Sequence, residues 1–416
     1  MQAFLNNSKN IYRDSYLWNM IGSMLLAFQS VILLMVLTRV LGVDDAGIFT
    51  LAYANANLFF TMGKYGMRYF QASDVIEQFS FKDYICSRII TSACMIVGSF
   101  GFTVYLAIKN SYTIEKMLIV FFVCIFKLPD VIEDVYYGRY QQKARLDIAA
   151  KTMTLRVALT TLCFILVVIL SKNLLFSVIV STVFAFLLVA YFIKITIKPF
   201  ADGKKWEKAK VFELLRVCFP LFVGAFLSIY ITNAPKYSID ALLNDELQAC
   251  YGFISMPVMV ISLLNGIIFN PLIQKMSIIW KKRETKAFLI RVIVQAGVVL
   301  GITLCCIIAA FFLGIPVLSF LFNVDLTLYK RELIILLIGG GLLGLSGLLN
   351  TVITIIRFQN SILIGYGIVT CMAIIFSDYI VSQYKLMGAA ILYMLLMASL
   401  CILFLIFLII GIIKDR

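Results

Sequence analysis

Apolar runs long enough to cross a bilayer recur from one end of the chain to the other, and no other feature constrains its fold as strongly. Taken between charged breaks they fall near residues 17–37, 46–63, 89–108, 116–137, 152–171, 173–193, 217–243, 248–273, 287–313, 333–356, 361–381 and 386–411. Most approach the roughly 20 residues that a helix needs to traverse a hydrocarbon core about 30 Å thick. In that solvent the backbone must satisfy its own hydrogen bonds, and for runs of this length only the α-helix does so. The mean hydropathy of +0.99, with 62% hydrophobic and 14% charged residues, also leaves more apolar surface than a soluble core of this size can bury. The sequence therefore predicts an all-α integral membrane protein of about 12 transmembrane helices. The run from Leu17 to Leu37 is too long for a signal h-region and lacks a small-residue cleavage site, so the first helix is expected to be retained.

The basic residues test this count, because a missed helix would scramble their alternation between loops. With the N-terminus placed inside, the inner segments carry 27 of the 36 Lys and Arg and the outer ones 8, with Lys127 inside a span. A bias above threefold sustained through successive loops predicts both termini on the cytoplasmic side. It also makes the net charge of +14 largely topogenic, and nucleic acid is not expected as a partner.

Two short segments recur at an offset of six spans. Val40 to Phe49, after the first span, follows the same order of apolar residue, Leu, turn former, acid and aromatic as Leu242 to Tyr251, after the seventh. Arg139-Tyr140-Gln141-Gln142 after the fourth resembles Arg357-Phe358-Gln359-Asn360 after the tenth. Together they predict a 6+6 pseudo-twofold arrangement about an axis along the membrane normal. The expected division is an N-terminal lobe over 1–195, a basic linker with an interfacial helix over 196–216, and a C-terminal lobe over 217–416. The linker carries Lys204, Lys205, Lys208 and Lys210 ahead of Val211, Leu214 and Leu215, a pattern attracted to anionic lipid.

Charge inside a span marks where function is expected, since each ionised group at helix centre costs about 2.5–3.5 kcal/mol on insertion scales. The fourth span holds Lys127, Pro129, Asp130, Glu133 and Asp134. Lys127, Asp130 and Asp134 share a helix face, so they can pair and line a wet cavity beside a proline kink. A location of the three acids at the headgroup level fits the same spacing. In the seventh span, Lys236 and Asp240 stand one turn apart behind Pro235, which reads either as a broken helix offering a cation to an anionic ligand or as a helix end with a surface ion pair. Gln29, Asn55, Asn57, Asn265, Asn270 and Asn350 also lie within spans, as a hydrophilic path or as interhelical hydrogen bonds. Gly339-Gly340-Gly341, with Gly344 and Gly347, lacks the Lys-Ser/Thr of a phosphate loop and predicts close helix packing or a hinge. The ten cysteines form no C-x-x-C pair and histidine is absent, so no metal centre, disulfide framework or cofactor is expected.

The stretch Leu37-Thr38-Arg39-Val40-Leu41-Gly42-Val43-Asp44-Asp45-Ala46-Gly47 resembles the Arg-x-Leu-Gly-x-x-x-x-Gly segment between the first two helices of bacterial polysaccharide-biosynthesis flippases, of the multidrug/oligosaccharidyl-lipid/polysaccharide exporter superfamily. Pro235 to Asp240, with the Tyr251-Gly252 that follows, resembles that family's seventh-helix region. The resemblance implies a V-shaped pair of six-helix lobes around a central cavity in the bacterial inner membrane. It implies a flippase, not an enzyme, moving an undecaprenyl-pyrophosphate-linked oligosaccharide to the outer leaflet by alternating access. Polysaccharide polymerase, glycosyltransferases and membrane lipids are the implied partners. Lys127 and Lys236 are then the expected headgroup contacts, with Arg39, Arg68, Asn55 and Asn57 in the substrate-binding set. Asp130, Glu133, Asp134 and Asp240 would shape the field or couple to a proton or sodium gradient.

Three other functions compete. A cation-coupled drug exporter of the same superfamily usually carries an acid in its first helix, where this chain has only Gln29. A polysaccharide polymerase is expected to have a large outer loop, and none is predicted. A major-facilitator symporter would show Asp-Arg-x-Gly-Arg where this chain reads Gly63-Lys64-Tyr65-Gly66-Met67-Arg68.

Overall fold

A computed structural model describes the 416-residue chain except for Asn7, Lys9, Val75, Ile76, residues 201–204 and 270–272, Gln359, Asp415 and Arg416. For Ala3, Tyr69, Ser73, residues 266–269 and 273–275, and Lys414, it describes the backbone alone. In chain order the helices are α1 (Gln2–Asn6), α2 (Ile11–Val40), α3 (Val43–Lys64), α4 (Met67–Ser73), α5 (Phe81–Lys109), α6 (Ile114–Phe126), α7 (Leu128–Gln142), α8 (Leu146–Ser171) and α9 (Leu174–Thr196). They continue with α10 (Lys208–Leu242), α11 (Asp245–Phe269), α12 (Ile273–Lys281), α13 (Thr285–Ala309), α14 (Ile315–Phe322), α15 (Lys330–Ile355) and α16 (Asn360–Lys414). Nine helical stretches among the described residues are long and apolar enough to cross a membrane, by length and composition. Within the described residues the twelve expected runs fall on helix: α6 and α7 share the fourth, the eighth reaches residues 270–272 outside the description, and α16 holds two, divided at Lys385, where φ 49° and ψ −128° leave helical space. The protein is all-α and multi-pass.

Contacts divide the chain into two compact units, Met1–Phe226 and Leu227–Arg416. The division falls inside α10, later than the basic linker. In the first unit α2 lies along α8, and α3 along α6 and α5. The first turns of α10 belong to this unit too, since Leu214 and Cys218 pack with Met67, Phe79, Phe81, Tyr84 and Val135. That packing explains a correction. Among the described residues no separate interfacial helix follows the linker: Lys205 to Glu207 is non-helical and Lys208 already opens the spanning helix, with Val211 and Leu214 buried. Lys204 lies outside the described residues.

The prolines also act differently from expectation. Pro129 sits in the first turn of α7, where its missing N–H costs nothing, and the helix breaks two residues earlier, at Lys127. Pro235 does not break its helix, for α10 runs unbroken from Lys208 to Leu242. A proline removes one backbone hydrogen bond, which packed neighbours in a bundle tolerate.

In the second unit α15 is central, packing against α16, α11 and α13. Its glycines each admit a different neighbour. A Cβ on Gly339 would meet Tyr393, on Gly340 Val258, on Gly341 Thr303 and on Gly344 Asn265. Close packing, one of the two readings of this run, is what these contacts express. Gly388 is tighter still, since its Cβ would strike the backbone carbonyl of Ile380 just across the Lys385 break. Gly388→Ala is therefore expected to destabilise by about 1–3 kcal/mol. Gly367→Ala, facing open space, should stabilise by about 0.5–1 kcal/mol. Thermal unfolding of both variants in detergent checks the opposite signs.

Candidate functional site

The break at Lys127 creates the site. Lys127 caps α6 and precedes α7, so its side chain leaves the helix where the backbone changes course. Its Nζ lies 3.6 Å from Asp130, 3.4 Å from the Gln29 Oε1 of α2 and 4.6 Å from the centre of the Tyr53 ring of α3. Gln29 is held in register because its Nε2 donates to Thr161 Oγ1 at 3.0 Å. The Gln29 amide of the first spanning helix is thus a ligand of the buried lysine.

One turn further, Arg156 of α8 bridges two acids. Its guanidinium pairs with Asp130 and lies 2.5 Å from Glu133, donating through Nε at 2.7 Å. Asp134 points elsewhere, to Arg88 of α5 at 2.9 Å and to Lys64 and Arg68 at 3.4 and 3.8 Å. Arg88 and Thr91 also donate to the carbonyl of Gly63 at the end of α3. There the chain turns through Tyr65 (φ 54°) and Gly66 (φ 68°) into α4. A Cβ at Gly66 would meet Leu221, so this left-handed turn needs glycine for its close approach as well as its φ.

The cluster therefore sets five cations, Lys64, Arg68, Arg88, Lys127 and Arg156, against three carboxylates. Asp130, Glu133, Asp134, Arg88, Lys127 and Arg156 are all buried. Burial without pairing would be prohibitive; pairing removes most of the cost but leaves two positive charges in excess. Lys64 and Arg68, the two least buried members, line a cavity of ≈540 Å³ together with Asp134, Asn19, Ala72 and Gln141. An anion entering it meets the excess charge.

The structure brings Lys127, Asp130, Glu133, Asp134 and Arg68 into one neighbourhood, in which Lys127 pairs with Asp130 and not with Asp134. Asn55 is fully buried and its amide makes no hydrogen bond among the described residues; Asn57 is half-buried. Arg39 lies exposed in the last turn of α2, ten residues and so about 15 Å along the axis from Gln29, which places it away from the lysine. Lys236 and Asp240 belong to the second unit. Lys236 is half-buried and has no hydrogen-bond or ion-pair partner among the described residues, so the expected pair with Asp240 does not form. The neighbouring Ser238 donates to Asp378 at 2.8 Å. Asn270 lies outside the described residues. Arg88, Arg156 and Lys64 carry the cluster and are absent from the expected set; their signal in the sequence is their place at the membrane edges of basic loops.

The fold is shared with solved membrane transporters. The chain aligns with the lipid II flippase MurJ in an inward closed conformation over 93% of its length and 87% of that chain, at 15% identity and TM-score 0.67. It aligns with the MATE multidrug transporter DinF-BH over 95% of its length and 94% of that chain, at 14% identity and TM-score 0.67. Residues 13–277 match the family model described as polysaccharide biosynthesis protein, and the chain belongs to that family. It is also similar to the capsular polysaccharide biosynthesis protein CapF of Staphylococcus aureus, 24% identical over 277 residues, 65% of this chain and 69% of that one.

Proposed function

We propose that the protein is a flippase that carries an undecaprenyl-pyrophosphate-linked oligosaccharide across the bacterial cytoplasmic membrane by alternating access. The observation that carries this reading is the cationic excess of the first unit's cluster, placed against an open cavity. A pyrophosphate needs charge compensation to leave the headgroup region, and a buried cluster two charges positive supplies it without presenting a bare cation to lipid. The polyprenyl tail needs no such site and stays in the hydrocarbon. The membership in a polysaccharide-biosynthesis family gives the glycan its context. Coupling to a proton or sodium gradient through the carboxylates of this cluster is part of the same proposal.

The test is genetic and direct. Deletion is expected to trap lipid-linked oligosaccharide in the inner leaflet, read by its protection from a membrane-impermeant glycosidase in oriented vesicles. Undiminished appearance of the oligosaccharide in the outer leaflet of the deletion strain would overturn the flippase reading.

A further inference from the structure

The second unit has its own cavity, and nothing in the reading above uses it. It measures ≈810 Å³ and is lined by Trp280 and Lys281 of α12, by Asn350, Thr351 and Thr354 of α15, and by Arg357 just beyond. Its place in the chain repeats that of the first unit's cavity. Each lies between the short helix that follows its half's second span and the end of its half's fourth, α4 with α7 in one case and α12 with α15 in the other. The recurring segments Arg139-Tyr140-Gln141-Gln142 and Arg357-Phe358-Gln359-Asn360 end those fourth spans. The two cavities differ in lining: the carboxylate that Asp134 gives the first has no counterpart among the lining residues of the second.

The lining specifies a ligand. Thr351 and Thr354 donate their hydroxyl protons to the helix carbonyls of Gly347 and Asn350 at 3.0 and 2.9 Å, and Asn350 Nδ2 donates to Tyr366 at 3.2 Å. These three side chains therefore offer the cavity acceptors, which suit hydroxyl donors. Trp280, held against Phe288 with ring centres 4.9 Å apart, provides an aromatic face. Lys281 and Arg357 have no side-chain partner among the described residues. They stand exposed at the ends of α12 and α15, where two helix C-termini of about half a negative charge each offset only one of the two charges, so the mouth of the cavity stays positive.

We propose that this cavity binds a phosphate-bearing polyol headgroup of a membrane lipid, its hydroxyls on Asn350, Thr351 and Thr354, its ring or glycerol on Trp280 and its phosphate on Lys281 and Arg357. Two sources share that chemistry, the lipid-linked sugar of the proposed cargo and a phospholipid such as phosphatidylglycerol. The first rests on the transport reading; the second does not. The chain's only other tryptophans are Trp18 and Trp206, so a full-length Trp18→Phe/Trp206→Phe protein reports from this cavity alone.

Such a protein, in nanodiscs of phosphatidylcholine, is titrated with a polyprenyl-pyrophosphoryl monosaccharide, with phosphatidylglycerol and with a soluble sugar 1-phosphate. The expected result is a saturable change in Trp280 emission with the polyprenyl compound, at least tenfold weaker in Lys281→Ala/Arg357→Ala. A response to phosphatidylglycerol equally lost in that variant also supports the site and assigns it to bulk lipid. A silent Trp280 with all three compounds, or a response the variant leaves intact, overturns it. Binding is measured on purified protein, so its failure is separate from that of the transport reading, which the leaflet assay decides.

Discussion

Arg156→Ala is expected to cost the protein about 3–5 kcal/mol, enough to remove most of the folded material from the membrane. Arg156 holds Asp130 and Glu133 together, and alanine would leave two buried carboxylates with one weaker partner, Lys127, between them. Arg156→Lys should recover only part of the loss, because a point charge cannot engage two carboxylates with the fixed fork of a guanidinium. Neutralising all four positions, Lys127→Met and Arg156→Met with Asp130→Asn and Glu133→Gln, should restore most of the stability while abolishing transport, since no uncompensated charge remains among them. Thermal unfolding followed by size-exclusion chromatography ranks these variants. An Arg156→Ala protein as stable as its parent would show that the three charges do not form one network.

The same network shows what the sequence made legible. The twelve spans are readable because the bilayer imposes length and apolarity on each run separately, a local constraint. The acids of the fourth span are readable too, because charge in an apolar run is conspicuous wherever its partners lie. Their cations are not. Arg88 is 46 residues from Asp134 and Arg156 is 26 from Asp130, and both stand at the edge of loops rich in Lys and Arg, where each looks topogenic. Only the packing of α5 and α8 on α7 turns them inward. Pro235 misleads for a related reason. Its local effect, one lost hydrogen bond, is legible, but whether the helix survives it depends on neighbours that a single sequence does not place.

Lys127 and Lys236 separate function from fold. In Lys127→Ala, Asp130 keeps Arg156 and Gln29 keeps Thr161, so the cluster loses one cation without stranding a carboxylate, and the protein is expected to reach the membrane in normal amount. Lys236→Ala goes further. A half-buried ammonium with no partner among the described residues destabilises the segment that holds it, so its removal should raise the unfolding temperature slightly. Both substitutions are nevertheless expected to lower surface polysaccharide at least tenfold, the equivalent of about 1.4 kcal/mol of lost headgroup interaction. A charge retained at a cost to stability is explained by a ligand that meets it, and the pyrophosphate is the ligand proposed. The decisive combination is a more stable Lys236→Ala protein that no longer exports. If instead it is more stable and surface polysaccharide is unchanged, Lys236 has no part in headgroup binding.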